Sequence, residues 1–485
     1  MREIEAVVLA AGKGKRMVSA LPKVLHRICG RPMIAYVLDT LAHMGIVSPI
    51  VIVGHGAEQV AAALGEGARY VSQAEQLGTG HAVMQALPHL EDYSGTVLIL
   101  YGDVPFLRAE TIETLLAHHR SQRAAATILT DLRDDPSGYG RVLRDAHGNV
   151  RRIVEEPDAS PEEREVREIN AGMYAIEVGA LREALHALTP ANAQDEYYLT
   201  DAISALLDGG HTVAAVVAGS SQEATGINSR AELAQAEAAM RATLLSNLME
   251  AGVTIIDPQA IYVHAGVRAG RDTILYPGTS LEGRTIIGEG CSIGPNARLV
   301  DAEIGDRVTI ISSTVTASVV GEGTRIGPYS HLRPGVRLGR FVEVGNFAEM
   351  TRSTVGDRTK VHHMSYLGDA TVGERVNIGA GTVTCNYDGK TKHQTIVEDG
   401  AFIGSDTMLI APVRIGRDAM TGAGSVIRRD VPPRGVAVGV PARVIRRRPA
   451  PGEPAPGPST PGQPESGPSS SEQPAPARPA AERGE

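Results

Sequence analysis

Apolar and polar positions follow two rhythms along this chain of 485 residues. Over residues 1–228, short apolar runs alternate with amphipathic stretches. EAVVLAAG, SPIVIVGHG, GTVLILYGD, AATILTDL and EINAGMYAIEV have the length and composition of strands, and segments such as 31–44 and 109–120 have the spacing of helices. The alternation predicts an α/β domain with a largely parallel sheet. Between Ser229 and Ala251 the pattern becomes SRAELAQAEAAMRATLLSNLMEA, free of Gly and Pro and opening with Ser229 three residues before Glu232. That spacing is a capping box and predicts a helix joining two domains.

Residues 252–448 change period again. Aliphatic residues recur about every six positions: Val320, Ile326, Leu332, Leu338, Val344, Met350, then Val355, Val361, Leu367, then Val372, Ile378, and later Ile403, Leu409, Ile415. Gly often follows directly, and a small or β-branched residue such as Thr324, Thr359 or Thr407 sits four positions after the aliphatic one. Period six suits neither a helix nor a flat strand. It predicts a triangular β-helix in which each hexad forms one side, the aliphatic residue points inward and Gly permits the corner. Residues 449–485 hold 11 prolines in 37 residues and predict a disordered tail. The expected boundaries are therefore 1–228, 229–251, 252–448 and 449–485.

Composition narrows the partners. Against 56 acidic residues stand 47 Lys and Arg, a net charge of −9, which disfavours nucleic acid. Three scattered cysteines suggest reduced thiols and a cytosolic setting, and the first apolar run is too short for a membrane span.

Two regions carry candidate chemistry. LAAGKGKRM follows the first strand, with Gly12 and Gly14 able to bring backbone N–H groups to a phosphate; a helix N-terminus there would add its dipole. Lys13, Lys15, Arg16 and Lys23 supply four cations within eleven residues, suited to a triphosphate. Asp103, just past the run LILYGD, lies where a carboxylate commonly holds Mg²⁺ against phosphate oxygens. In the repeat, three places break the pattern: Arg333 in HLRPG, His362 and His363 in VHHMSYLGD, and the insertion TCNYDGKTKHQT after Val383. Acetylation of an amine needs a base, oxyanion donors and cations for phosphates, and His, Asn, Tyr, Arg and Lys are all present there. Periodicity alone leaves His362 and His363 open as the base.

The motifs LAAGxGxRM, PK, GD, QAEQLGTGHAV, GYGR, IVEEPDA, EINAGMY and GINSR resemble those of the sugar-phosphate nucleotidyltransferases, more narrowly the uridyltransferases acting on N-acetylglucosamine 1-phosphate. RPG, GNFxEM, HxxYLGD, NIGAGTxTCNYDG and FIGSDT extend the likeness over about residues 4–445 to the bacterial bifunctional uridyltransferase and glucosamine-1-phosphate N-acetyltransferase family.

The resemblance implies a Rossmann-like N-terminal domain and a left-handed parallel β-helix of hexapeptide repeats. It further implies a homotrimer in the cytoplasm, with UTP, acetyl-CoA and the two sugar phosphates as substrates, in the service of cell-wall precursor synthesis. Carried over by motif, Leu9, Ala10, Ala11, Gly12, Lys23, Gln73, Gly78, Thr79, Tyr101, Gly102 and Asp103 would contact the nucleotide. Gly140, Glu155 and Asn170 would contact the sugar, Asp103 and Asn228 would hold Mg²⁺, and Arg16 and Lys23 would neutralise charge in the reaction. In the second site His363 would be the base, and Arg333, Tyr366, Asn377 and Asn386 would bind the sugar phosphate or orient the amine. Ala380, Asn386, Tyr387, Ser405 and Ala423 would line the acetyl-CoA site. Thr351, followed by Arg352, stands where the family usually carries Lys, and Gly439 where an Arg often contacts CoA. A nucleotidyltransferase whose β-helix serves only assembly is the alternative reading.

Overall fold

The computed structural model describes residues 4–449. The chain divides into two compact units, the first ending at Arg352 and the second beginning at Ser353. The expected tail, apart from Pro449, lies outside the described residues.

Beside a small hairpin of Arg27–Ile28 and Arg31–Pro32, the first unit opens with the nine strands of its main sheet: β1 Ile4–Ala10, β2 Ile50–Val53, β3 Arg69–Ser72, β4 Thr96–Tyr101, β5 Ala126–Leu132, β6 Arg141–Arg144, β7 Val150–Val154, β8 Glu168–Glu177 and β9 Val213–Val217. They form one sheet in the order β9-β5-β8-β4-β1-β2-β3, with β6 pairing β8 and β7 off this path. The β1–β2, β1–β4, β2–β3 and β5–β9 pairs are parallel, and β8 runs antiparallel to β4 and β5. Successive side chains of a strand enter opposite cores. Val7 and Leu9 pack on one face with Val97 and Ile99. Ala6, Val8 and Ala10 pack on the other with Leu98 and Leu100. Burial on both faces explains why these strands read as unbroken apolar runs.

The helix Arg230–Glu250 begins at the expected cap, where the Ser229 hydroxyl accepts from the Glu232 N–H. The return arm differs from a standard box: the Glu232 carboxylate accepts from the Asn228 N–H at 2.6 Å. Ala236 and Met240 pack on Ile28, Cys29, Met33 and Ile227, and the Arg241 guanidinium lies 4.6 Å from the Tyr262 ring centre.

Short strands stack after this helix as parallel coils. In the first unit the ladders start Thr254↔Ile274↔Ser292, Tyr262↔Ser280↔Arg298 and Arg268↔Ile286↔Glu303, three sides per turn. The second unit has the same three-sided stacking, for example Lys360↔Asn377↔Phe402↔Met420. The inward aliphatic residues of the repeat are at most 4 % exposed, in both units. The small residue four positions on is also inside, and its hydroxyl goes to backbone carbonyls: Thr359 donates to Gly373 O at 2.7 Å and Thr407 to Gly404 O at 2.6 Å. After the last parallel strand, Gly435–Gly439, the chain turns back and pairs antiparallel with it through the arginine-rich strand Ala442–Arg447.

One expectation is corrected. At most turns the glycine after the aliphatic residue is not the left-handed corner, Gly294 (φ 101°) and Gly327 (102°) being the exceptions among the described coils. The left-handed residue comes two positions later and is often not Gly: Tyr329 (φ 61°), Arg358 (58°), Arg375 (53°), Asp406 (57°). The glycine is needed for close stacking of coils. A Cβ on Gly321 would lie 2.4 Å from Gly339 O, on Gly379 2.6 Å from Ser405 N, and on Gly404 2.6 Å from Thr421 O.

Candidate active sites

The carboxyl ends of β1 and β4 meet where the strand order reverses, the place open α/β sheets use for ligands. A cavity of about 520 Å³ opens there, lined by Leu9 to Arg16, Lys23, Gln73, Gly78, Thr79, Tyr101, Asp103 and Asn228 among others. The Gly102 N–H donates to Leu9 O at 2.9 Å and ties the two strand ends together. Nothing lies within 4 Å of a Cβ built on Gly12, so its backbone faces open space, whereas Gly14 adopts φ +58° against the Lys23 side chain. The helix expected to follow is instead one 3₁₀ turn, Lys15–Met17, entered and left through left-handed residues. With no α-helix there, backbone N–H groups and the cations of the loop, without a helix dipole, are what a phosphate would meet.

The Lys23 ammonium lies between two oxygens. It is paired with the Asp103 carboxylate and donates to Asn228 Oδ1 at 2.6 Å. Asn228 is held in this orientation: its amide nitrogen donates to Gly226 O at 3.3 Å and its backbone N–H to Glu232. The Ile227 N–H donates to Asp103 O, so the loop before the long helix is fastened to the end of β4. Residues 125 apart thus offer two hard oxygens to one positive centre, a donor set that fits Mg²⁺ completed by phosphate and water. Among the described residues no group of three or more His, Cys, Asp or Glu is placed to hold a metal.

Gly140, Glu155 and Asn170 form a second cluster beside the cavity. The Asn170 N–H donates to Gly140 O, and a Cβ on Gly140 would lie 3.4 Å from a Glu155 carboxylate oxygen. Asn170 Nδ2 donates to the Tyr174 hydroxyl at 2.6 Å, and Glu155 accepts from Thr200 Oγ1 at 2.9 Å. Burial pushes the Glu155 carboxyl above its usual range, assisted by Asp201, Asp158 and Glu196 and opposed by the Thr200 hydrogen bond. Thr200 was not singled out from sequence. The adjoining Tyr198, 6 % exposed with an unpartnered hydroxyl, was missed as well. Their only signal was the polar string DEYYLT at a helix start.

In the second unit His363 and Met364 occupy consecutive left-handed positions (φ 52° and 54°), where other corners have one. His363 is exposed and His362 half-buried, with ring centres 5.5 Å apart. The Gly381 N–H donates to His363 O at 3.0 Å. Tyr366 and Asn386 converge on Gly368, since a Cβ there would lie 2.6 Å from both the Tyr366 hydroxyl and Asn386 Nδ2. Asn386 Nδ2 is anchored on Asp369 at 2.6 Å. Asn377 lies two sides further along the chain from Tyr366, half-buried.

The expected insertion is present: Thr371 pairs with Ile396, the intervening chain holding a hairpin closed by Tyr387↔Lys392. Of its three expected cations, His393 is engaged by the Asp388 carboxylate at 2.7 Å. Hydrogen bonds from His393, Thr391 and Lys390 hold that carboxyl well below its usual range. Ala380, Ser405 and Ala423 stack one coil apart on a single edge: a Cβ on Gly379 would meet Ser405 N, and one on Gly404 would meet Ala423 N at 2.8 Å. In the first unit Arg333 is paired with Glu349 at 3.0 Å, Thr351 is buried, and Arg352 Nη1 lies 3.4 Å from Thr351 Oγ1. Gly439, in the last hairpin of the second unit, has φ +103°.

A phosphate-ready cavity on an α/β sheet, together with hexad coils bearing a histidine-marked edge, defines a two-site transferase. Residues 6–194 match the MobA-like NTP transferase domain family, and residues 317–352 and 394–429 match the bacterial transferase hexapeptide family of six repeats. The bifunctional protein GlmU of Heliobacterium modesticaldum is 52 % identical over 438 residues, covering 90 % of this chain and 96 % of the relative. That of Pelotomaculum thermopropionicum is 53 % identical over 411 residues (85 % and 90 %), and that of a Geobacillus species 50 % over 433 residues (89 % and 94 %). The chain belongs to the family of these bifunctional GlmU proteins. It is an enzyme with two activities, the N-acetylglucosamine-1-phosphate uridyltransferase and the glucosamine-1-phosphate N-acetyltransferase its motifs resemble. The reading of the β-helix as an assembly device alone gives way to this.

Proposed function

We propose that the cavity at the ends of β1 and β4 carries uridyl transfer and that the edge marked by His363 carries acetyl transfer, with the domain limits expected from sequence. The observation that supports the first assignment most directly is the convergence of Asp103 and Asn228 on one cationic centre at the mouth of the glycine loop. UTP would lie with its phosphates along Ala10 to Gly14 and its base toward Gln73 and Gly78. An oxygen of the sugar phosphate attacks the α-phosphorus, a new P–O bond forms, and pyrophosphate leaves with the electrons of the broken bond. Mg²⁺ held by Asp103 and Asn228 would supply charge neutralisation at phosphate oxygens. Arg16 and Lys23, both on the cavity wall, counter the remaining charge. Gly140, Glu155 and Asn170, with Tyr198 and Thr200 beside them, would fix the sugar so that its phosphate points along the line of attack. Asp103→Asn is expected to lower UDP-sugar formation by about a thousandfold while acetyl transfer continues at the wild-type rate. Uridyl transfer retained in the variant, measured with Mg²⁺ present, would overturn the assignment.

In the second site His363 would take the proton from the amine as it attacks the thioester of acetyl-CoA, with CoA thiolate leaving. Tyr366, Asn377 and Asn386 would hold the sugar phosphate. The Ala380–Ser405–Ala423 edge, built of small residues, leaves room for an extended CoA arm along the coils, with Tyr387 beside it. The enzyme would work as a homotrimer in the cytoplasm. Free thiols at Cys29, Cys291 and Cys385, and the absence of any helix long and apolar enough to cross a membrane among the described residues, are compatible with that setting. Tyr329 and Phe347, stacked 5.6 Å apart yet largely exposed, form an apolar strip suited to another copy. A solution mass other than three chains would remove the trimer from this reading.

A further inference from the structure

Gln73 follows β3 directly, and its backbone N–H donates to Val53 O at 2.7 Å, which fixes the residue against β2. The side chain is 3 % exposed and lines the nucleotide cavity. Its carboxamide nitrogen makes two contacts at once, to Gly78 O at 3.0 Å and to His81 Nδ1 at 3.0 Å. A backbone carbonyl can only accept, so the atom facing Gly78 is the NH₂ group. The same group therefore donates to His81 Nδ1, which must carry a lone pair, and the imidazole proton lies on Nε2. The half-buried Gln85 has its amide nitrogen 3.2 Å from His81 Nε2 and 3.1 Å from His81 O. With the proton on Nε2 its oxygen turns to that proton and the bond to His81 O is given up, which the solvent-accessible Gln85 can make good and the buried Gln73 cannot. Both hydrogens of the Gln73 amide are thus committed. Its oxygen accepts from no donor among the described residues and remains as the acceptor offered to the cavity.

We propose that His81 is a positioning residue which locks the Gln73 carboxamide with its oxygen toward the base, so that the site accepts a pyrimidine bearing an N3–H and rejects one bearing an N3 lone pair. The inference rests on the reading of Gln73 as a nucleotide contact. Uracil presents an N–H between two carbonyls and pairs with the oxygen. Cytosine presents a lone pair there, and two acceptors would face each other against the buried Gln73. A site organised around a donor on its substrate rejects analogues lacking it far better than an apolar pocket rejects a missing methyl. The locking needs both partners of the NH₂ group, because with Gly78 O alone the amide loses one of the two bonds that oppose its rotation by 180°. His81 itself is absent from the cavity wall, so it acts through Gln73 alone.

The test measures kcat/KM for UTP and for CTP with N-acetylglucosamine 1-phosphate in the full-length enzyme, using acetyl transfer as the control for folding. His81→Ala is expected to lower the UTP-to-CTP ratio about tenfold, the worth of roughly one hydrogen bond. His81→Asn, whose side-chain oxygen can stand where Nδ1 accepts, is expected to restore most of the ratio. Gln73→Ala should collapse the ratio further. If Gln73→Ala leaves the ratio unchanged, the base-contact reading fails and the proposal with it. If Gln73→Ala collapses the ratio while His81→Ala lowers both substrates equally, His81 is structural and the positioning role is wrong.

Discussion

The sheet domain and the coils build their sites in opposite ways. In the sheet, the residues around the cavity come from positions 9 to 228, gathered by the parallel crossovers and by one loop tied to the end of β4. In the second unit, Ala380, Ser405 and Ala423 recur one coil apart, so sequence spacing is itself the geometry. A sheet site therefore tolerates change between its contributors, provided each strand end stays in place. A coil site depends on every intervening hexad keeping its length. The eight residues from Asn386 to His393 are accommodated because they project as a closed hairpin and return to the ladder at Thr395.

The largest effect expected from this contrast is separation of the activities. His363→Ala is expected to lower acetyl transfer by about a hundred- to ten-thousandfold, the range for removal of a general base, and to leave uridyl transfer intact. His362→Ala should cost far less, and the reverse order in a free-thiol assay would exchange their roles. Next come two glycines with different tasks. Gly379→Ala forces a Cβ to 2.6 Å from backbone of the next coil and should lower the melting temperature of the coils by several degrees. Gly12→Ala meets no atom within 4 Å, so its melting temperature should stay put while KM for UTP rises. Equal melting temperatures for both variants would show that coil stacking is looser than the contacts require. The smallest effect concerns Glu155. Burial raises its pKa in the fold, so ionisation costs stability, and that cost appears as pH rises above the unfolded value and is absent below it. Glu155→Gln should therefore raise the melting temperature by about a degree or two at pH 7.5 and have little effect at pH 4. A gain that is larger at pH 4 would contradict this sign.

Much of the architecture was legible because its cause is local. The sheet strands are apolar runs with two buried faces, and the inward residues of the coils, such as Leu332 and Ile403, are the hexad positions themselves. The cap at Ser229 was visible from two letters three apart, though not that the Glu232 carboxylate would reach back to Asn228. What sequence could not show were contacts between distant residues. Lys23 reads as one more phosphate cation, yet in the fold it lies against Asp103 and Asn228, a pairing that only the crossover topology creates. The glycines of the hexads read as corners because Gly commonly marks turns. Their reason is the neighbouring coil, seventeen or eighteen residues away, as Gly356 shows with Gly373 at 2.7 Å. His81 reads as one polar residue of a short helix, and only the two acceptors around the Gln73 nitrogen give it a task.

The antiparallel return at the end of the second unit has a consequence for how the enzyme behaves in a crowded solution. A stack of parallel coils ends in a row of unpaired backbone groups, which is a template for the next chain and a route to fibres. On one of the three sides the final parallel strand, Gly435–Gly439, is covered by Ala442–Arg447, so the outermost edge of that side belongs to a segment carrying Arg443, Arg446 and Arg447. A second molecule approaching edge to edge would bring like charges together along the whole strand. The longest of the three ladders thus ends in a charged strand that disfavours extension on its side.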